Sequence, residues 1–147
     1  ISVFVLLKPP VSKTDMTVDD LYAKFLEVFG VARTHCVNMY GMTELSSQIY
    51  DQNLLSYYTD GSSNYLKATP SWVRSVFLDP ATLTPVADGE QGVIAHYDLA
   101  NWNSCLAILT EDLGVRTDSG YELNGRAKGA EARGCSIAVD EVMAANA

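Results

Sequence analysis

The stretch TVDDLYAKFLEVFGVARTHCVNMY, residues 17–40, decides how this chain folds. Val18, Leu21, Phe25, Val28 and Phe29 recur at three- and four-residue steps, the spacing that gathers apolar side chains on one face of a helix. Thr17 or Asp15 can cap its start, where a side-chain oxygen satisfies a free first-turn N–H, and Gly30 can close its end. Within four residues the pattern turns β-rich, over residues 34–40. Upstream, residues 1–7 are β-branched and large apolar and read as a buried strand, which Pro9-Pro10 ends. A strand, a helix and a second strand in this order predict parallel pairing through a right-handed crossover.

Beyond residue 40 the helical spacing fades. Residues 43–56 are ambiguous, with Leu45, Ile49 and Leu54 hinting at a short helix, and residues 60–64 read as a turn. Short β segments are expected at 73–78, 92–99, 106–110, 113–116 and 121–123. Turn signals separate them at Asp79-Pro80, Asp88-Gly89, Asp112 and Ser119-Gly120. Residues 136–145 are weakly helical. The expected fold class is therefore α/β: a strand–helix–strand unit, then a small β-rich subdomain, then a short flexible C-terminal tail. The expected divisions are residues 1–66, 67–124 and 125–147.

Composition narrows the function. A length of 147 residues at 48% hydrophobic suits one globular domain with a real core. A formal charge of −8 with no basic run argues against nucleic acid, whose phosphates need clustered Lys and Arg. No membrane span or leader is expected, because no apolar stretch is long enough and residues 1–7 lack a basic flank. Cys36, Cys105 and Cys135 are odd in number and widely spaced, and only His35 and His96 accompany them. Neither a disulfide framework nor a zinc site is indicated, and the chain reads as reduced and cytoplasmic. It opens on Ile1 without a methionine, as a fragment, a processed chain or a trimmed one would.

Three segments carry chemistry. Tyr40-Gly41-Met42-Thr43-Glu44 ends a strand with four different binding functions. The ring can stack on a base, and the glycine lets backbone approach a ligand; the hydroxyl can bond phosphate, and the carboxylate can hold Mg²⁺. Thr110-Glu111-Asp112-Leu113-Gly114 is placed where one strand turns into the next. Asp112 there could accept from a ribose diol, although the residues alone favour a hairpin aspartate that bonds its own backbone. Gly125-Arg126 through Arg133-Gly134-Cys135 is glycine-rich. Arg126 can fork onto phosphate or ribose oxygens, and Cys135 lies near positive charge that favours its thiolate, although a flexible surface loop explains the same residues. Cys36 and Cys105 are expected to be small core residues.

Taken in order, these segments resemble the adenylate-forming enzymes, and more closely the acyl-protein synthetases of the LuxE type. The likeness rests on Tyr40 to Glu44, on Asp98-Leu99-Ala100-Asn101, on Ile108 to Gly114, on Gly125 to Glu131 and on Arg133 to Val139, and covers about residues 17–143. It implies ATP and Mg²⁺ as cofactors, a fatty acid as substrate and an acyl-accepting reductase as protein partner. By the same resemblance Tyr40 stacks on adenine, with Gly41 beside it, Thr43 contacts the phosphates and Glu44 binds Mg²⁺. Asp112 holds the ribose, Arg126 reaches the acyl phosphate, and Cys135 accepts the acyl group. The family's hydroxyl-rich phosphate loop has no counterpart before Tyr40, and only 21 residues follow Arg126. The resemblance therefore implies a C-terminal portion, inactive alone and, with half a former core uncovered, self-associating. An acid–CoA ligase of the phenylacetate type and a non-catalytic nucleotide-binding module remain open.

Overall fold

A computed structural model describes residues 3–5 and 17–127. The expected tail, including Cys135, lies outside the described residues. Eight strands form one mixed sheet: β1 (Val3–Val5), β2 (Cys36–Tyr40), β3 (Ile49–Asp51), β4 (Lys67–Ala68), β5 (Val73–Leu78), β6 (Gln91–Asp98), β7 (Ala107–Thr117) and β8 (Gly120–Arg126). Their order across the sheet is β1-β2-β3-β4-β8-β7-β6-β5. β1 and β2 run parallel, joined through helix α1 (Val18–Phe29), and the other seven-strand run is antiparallel throughout. A second helix, α2 (Asn53–Asp60), follows β3. β4 bonds β3 on one side and β8 on the other, so strands from either side of residue 66 share one sheet.

The caps of α1 are those its sequence signals. The Thr17 hydroxyl accepts from the Asp20 N–H at 3.1 Å, and Asp20 reaches back to the Thr17 N–H at 3.0 Å. Gly30 closes the helix by donating to the Leu26 carbonyl at 3.0 Å. Its apolar stripe is less covered than its periodicity predicts: Tyr22 is buried, while Val28 and Phe29 are exposed. The ambiguous residues after 43 form the short strand β3 and then α2.

The core lies on one face of the sheet, where Ile49, Val73, Phe77, Ile94 and Tyr121 pack together with Tyr40, Val86 and Leu123 against them. Residues from β2, β3, β5, β6 and β8 can meet only because the sheet curls. The joint at β4 is built around a buried charge. Lys67 is 5% exposed and donates to the Asn38 carbonyl at 2.9 Å and to the Asn38 side chain. Burial pulls its pKa down to about 8, while the charge of nearby Asp51 resists the fall.

Two expectations need correcting. Residues 110–114 are not a turn but the middle of β7, an eleven-residue strand. Its register breaks on both sides. Against β6, Val93 pairs with Leu113 but Ala95 with Leu109; against β8, Asp112 pairs with Arg126 but Gly114 with Leu123. The Thr110 hydroxyl bridges the irregularity, donating to the Ile94 carbonyl at 2.8 Å and accepting from the Asp112 N–H at 3.1 Å. On β8 the extra residue is absorbed near Gly125, whose φ of 88° suits glycine. The second correction concerns Cys105. It is exposed on the approach to β7, and of the two described cysteines Cys36 is the buried one.

Candidate functional site

The curl brings the end of β2 against the bulge of β7. The Tyr40 hydroxyl donates to Asp112 Oδ2 at 2.8 Å, across 72 residues of sequence. Arg126, opposite Asp112 on β8, places Nε 3.5 Å from Asp112 Oδ1 and gives an Nη2 hydrogen bond to Glu111. Two of the residues singled out from sequence, Tyr40 and Arg126, thus converge on the carboxylate of a third, Asp112. Tyr40 is partly buried, and its hydroxyl is held far above the usual tyrosine range, first by burial and then by the Asp112 charge.

Gly41, Thr43 and Glu44 follow on the loop between β2 and β3, all three exposed. A Cβ at Gly41 would meet nothing within 4 Å, so the backbone there is open to a ligand. The Thr43 hydroxyl donates to the Glu44 carboxylate at 3.0 Å. Thr43 and Glu44 follow Tyr40 within four residues of chain, which places them beside the site.

That loop is strapped from β6 by residues that sequence reasoning quoted only as part of a motif. Asp98, fully buried, accepts from the Ser47 N–H at 2.9 Å, the Ser47 hydroxyl at 2.8 Å and the Ala100 N–H at 2.9 Å. A buried carboxylate needs such a set of donors to offset its lost hydration. Trp72 Nε1 adds a bond to the Ser47 hydroxyl at 2.9 Å. Asn101 then donates from Nδ2 to the Glu44 carbonyl at 2.8 Å and to the Cys105 carbonyl at 3.1 Å.

His96 entered the sequence reading only as one of two histidines, too few for a zinc site, and was given no role of its own. It is fully buried on β6, with Nδ1 2.8 Å from the Ser75 hydroxyl and Nε2 3.3 Å from the Tyr40 hydroxyl. Burial lowers its pKa to about 4, against the pull of the Asp112 and Asp98 charges, so the ring is neutral at ordinary pH. The one available signal was the strand alternation of β6, which places His96 on the same face as Ile94 and Asp98.

A separate groove lies elsewhere. It has a volume of about 640 Å³, is open and is lined by residues including Trp72, Val76, Leu83, Tyr97 and Leu99, on the opposite face of β5 and β6. It contains none of Tyr40, Asp112 or Arg126. Among the described residues no three or more His, Cys, Asp or Glu side chains gather as a metal cluster, and no helix is long and apolar enough to cross a membrane.

Residues 11–144 match the family described as acyl-protein synthetase, LuxE. A long-chain-fatty-acid–luciferin-component ligase of Aliivibrio fischeri is 33% identical over 93 residues, which is 54% of this chain and 24% of that relative. Its counterpart in Vibrio harveyi is 27% identical over 90 residues, 56% of this chain and 24% of the relative. The chain thus spans about a quarter of the length of the curated relatives it matches. Among solved structures, apo MatB from Rhodopseudomonas palustris shares the fold with a TM-score of 0.52 at 19% identity, over 78% of this chain and 25% of that one. ATP-bound MatB from the same organism gives 0.50 at 19% identity, over 73% and 23%. With nine-tenths of its length matched to the family, the chain belongs to the acyl-protein synthetases of the LuxE type.

Proposed function

We propose that this chain supplies the nucleotide-binding wall of an enzyme that activates a fatty acid with ATP and passes the acyl group to a protein cysteine. The observation that carries this reading is the meeting of Tyr40, Asp112 and Arg126 beside an exposed loop bearing Thr43 and Glu44. The names of the curated relatives, ligases for a long-chain fatty acid, and the ATP in one MatB structure support it.

In this reading a fatty-acid carboxylate oxygen attacks the α-phosphorus of ATP, the bond to pyrophosphate breaks, and an acyl-adenylate forms. A thiolate then attacks the acyl carbon, a thioester forms, and AMP leaves with the electron pair of the broken C–O bond. Tyr40 offers its ring to the base, with Gly41 leaving backbone open beside it. Asp112 accepts from ribose hydroxyls, Thr43 bonds phosphate oxygens, and Arg126 brings positive charge toward the acyl phosphate. The donor chemistry at Glu44, an exposed carboxylate beside a hydroxyl, fits Mg²⁺, which takes one or two protein carboxylates together with substrate phosphates. When bound, that ion offsets phosphate charge. Cys135 is the acceptor, Gly125-Arg126 a hinge, and an acyl-accepting reductase the downstream partner; the chain alone is inactive.

The test is acylation of the protein as encoded. Incubated with ATP, Mg²⁺ and radiolabelled fatty acid, it should acquire thioester-linked label that Cys135→Ser abolishes. Stable label on the Cys135→Ser protein would remove that thiol from its role. Product release that requires CoA would replace this reading with an acid–CoA ligase, and magnesium-dependent ATP binding without pyrophosphate exchange would leave a non-catalytic nucleotide module.

A further inference from the structure

We propose that His96 is a positioning residue that acts through Tyr40 to hold the Asp112 carboxylate in the orientation that selects a ribonucleotide over its 2′-deoxy analogue. The inference rests on Asp112 being the ribose acceptor in the reading above.

Asp112 sits on a bulge, where register breaks against both neighbouring strands. Backbone pairing therefore does not by itself aim its side chain, and bulges commonly re-aim side chains beside functional sites. What aims it is the Tyr40 hydroxyl, at 2.8 Å from Oδ2, with the Arg126 Nε farther away at 3.5 Å from Oδ1. The Tyr40 hydroxyl in turn has one proton. Because that proton goes to Asp112, the oxygen can only accept from His96 Nε2, 3.3 Å away. His96 must then carry its hydrogen on Nε2, and Nδ1 must accept from the Ser75 hydroxyl at 2.8 Å. Each donor points the same way: Ser75 to His96, His96 to Tyr40, Tyr40 to Asp112.

This direction depends on the tautomer. In the other neutral form Nδ1 would hold the hydrogen and Nε2 would be an acceptor facing the Tyr40 hydroxyl. That hydroxyl would then be drawn to His96, and Asp112 would lose its short bond. The Asp112 carboxylate is what disfavours this, since it can only accept and so claims the Tyr40 proton, while the Ser75 hydroxyl can serve either tautomer. The ring is fully buried, out of reach of bulk solvent that could substitute for either partner. Ser75 reaches His96, and His96 reaches the Tyr40 hydroxyl, so both act on the site through Tyr40.

The experiment measures calorimetric affinity of the encoded protein for ATP and for 2′-deoxy-ATP. A carboxylate fixed on a diol should prefer ATP by at least about tenfold, the scale of one charge-assisted hydrogen bond. His96→Phe, which keeps a buried ring without donor or acceptor, should cut that preference several-fold, and Ser75→Ala, which removes the hydrogen bond that anchors the far side of the ring, should cut it in the same direction. His96→Gln, which can donate toward Tyr40 and accept from Ser75, should keep most of it. A loss of stability alone lowers both affinities together and leaves their ratio intact, so the ratio separates positioning from mere structural support. Unchanged preference in both His96→Phe and Ser75→Ala overturns the proposal while leaving Asp112 as the ribose acceptor. An unsubstituted protein that binds ATP without preference overturns the Asp112 assignment itself, and the inference falls with it. Should His96→Phe fail to fold, Ser75→Ala, a smaller change at a half-buried position, carries the same comparison.

Discussion

Protonating His96 would place a charge where no water reaches it, which is why its pKa lies near 4 in place of 6.5. The consequence for stability has a definite sign. As pH falls through 6.5 the unfolded chain takes up a proton that the folded chain refuses, so stability is full above that value and is lost progressively toward pH 4. The shift corresponds to about 3 kcal/mol in full. Asp51 works against it: burial raises its pKa, so below its folded value it contributes stability as pH falls. Urea midpoints should decline between pH 6.5 and 4, and His96→Gln should flatten that decline; a midpoint as steep in the variant as in the parent would assign the loss to other groups. Tyr40 and Asp112 could be picked from sequence because each sits in a run of chemically distinctive residues. His96 could not. A single histidine in an alternating strand looks the same whether it fills a core or aims a tyrosine, and its partner is 56 residues away.

At the level of elements, what was legible was what is local. Helix α1 announced both caps within its own sequence, and β5 matches its expected bounds because Pro70 and Asp79-Pro80 bracket an apolar run. β7 was misread because Asp112 is a favoured turn residue and nothing nearby reveals that Thr110 will hold the strand together from within. β4 has only two residues and so no periodicity to read. One tertiary demand on β7 does yield a sharp prediction. A Cβ on Gly114 would stand 2.7 Å from the Glu122 carbonyl oxygen, 2.9 Å from Phe77 and 3.0 Å from Ile94. One of these contacts is backbone of the paired strand, which cannot swing aside. Gly114→Ala should therefore destabilise the fold by about 1–3 kcal/mol, read as a lower urea midpoint with an unchanged slope. A midpoint equal to the parent's would show that β7 and β8 can separate freely at this point.

At the scale of the whole molecule, the described residues leave apolar surface uncovered at sites that include Leu26, Val28 and Phe29 on α1, Leu55 and Tyr58 on α2, and Trp72, Tyr97 and Leu99 along the groove of β5 and β6. Periodicity reports which residues share a face but not whether anything lies against it, so this exposure was invisible in the sequence. Large apolar patches rarely stay bare, and the 147-residue chain alone should self-associate with rising concentration. Sedimentation of Phe29→Lys should show weaker association than the parent, and a parent that sediments as a clean monomer at all concentrations would count against it. The curl of the sheet has one more consequence. From β2 the backbone ladder runs through β3, β4 and β8 to β7, and the Tyr40–Asp112 bond then spans the gap from β7 back to β2. The five strands form a circuit in which four links are main chain and the fifth is made by side chains. A ligand that recruits Tyr40 or Asp112 can open that circuit without parting any strand from its neighbour, so the ring is closed by the same groups that would bind the nucleotide.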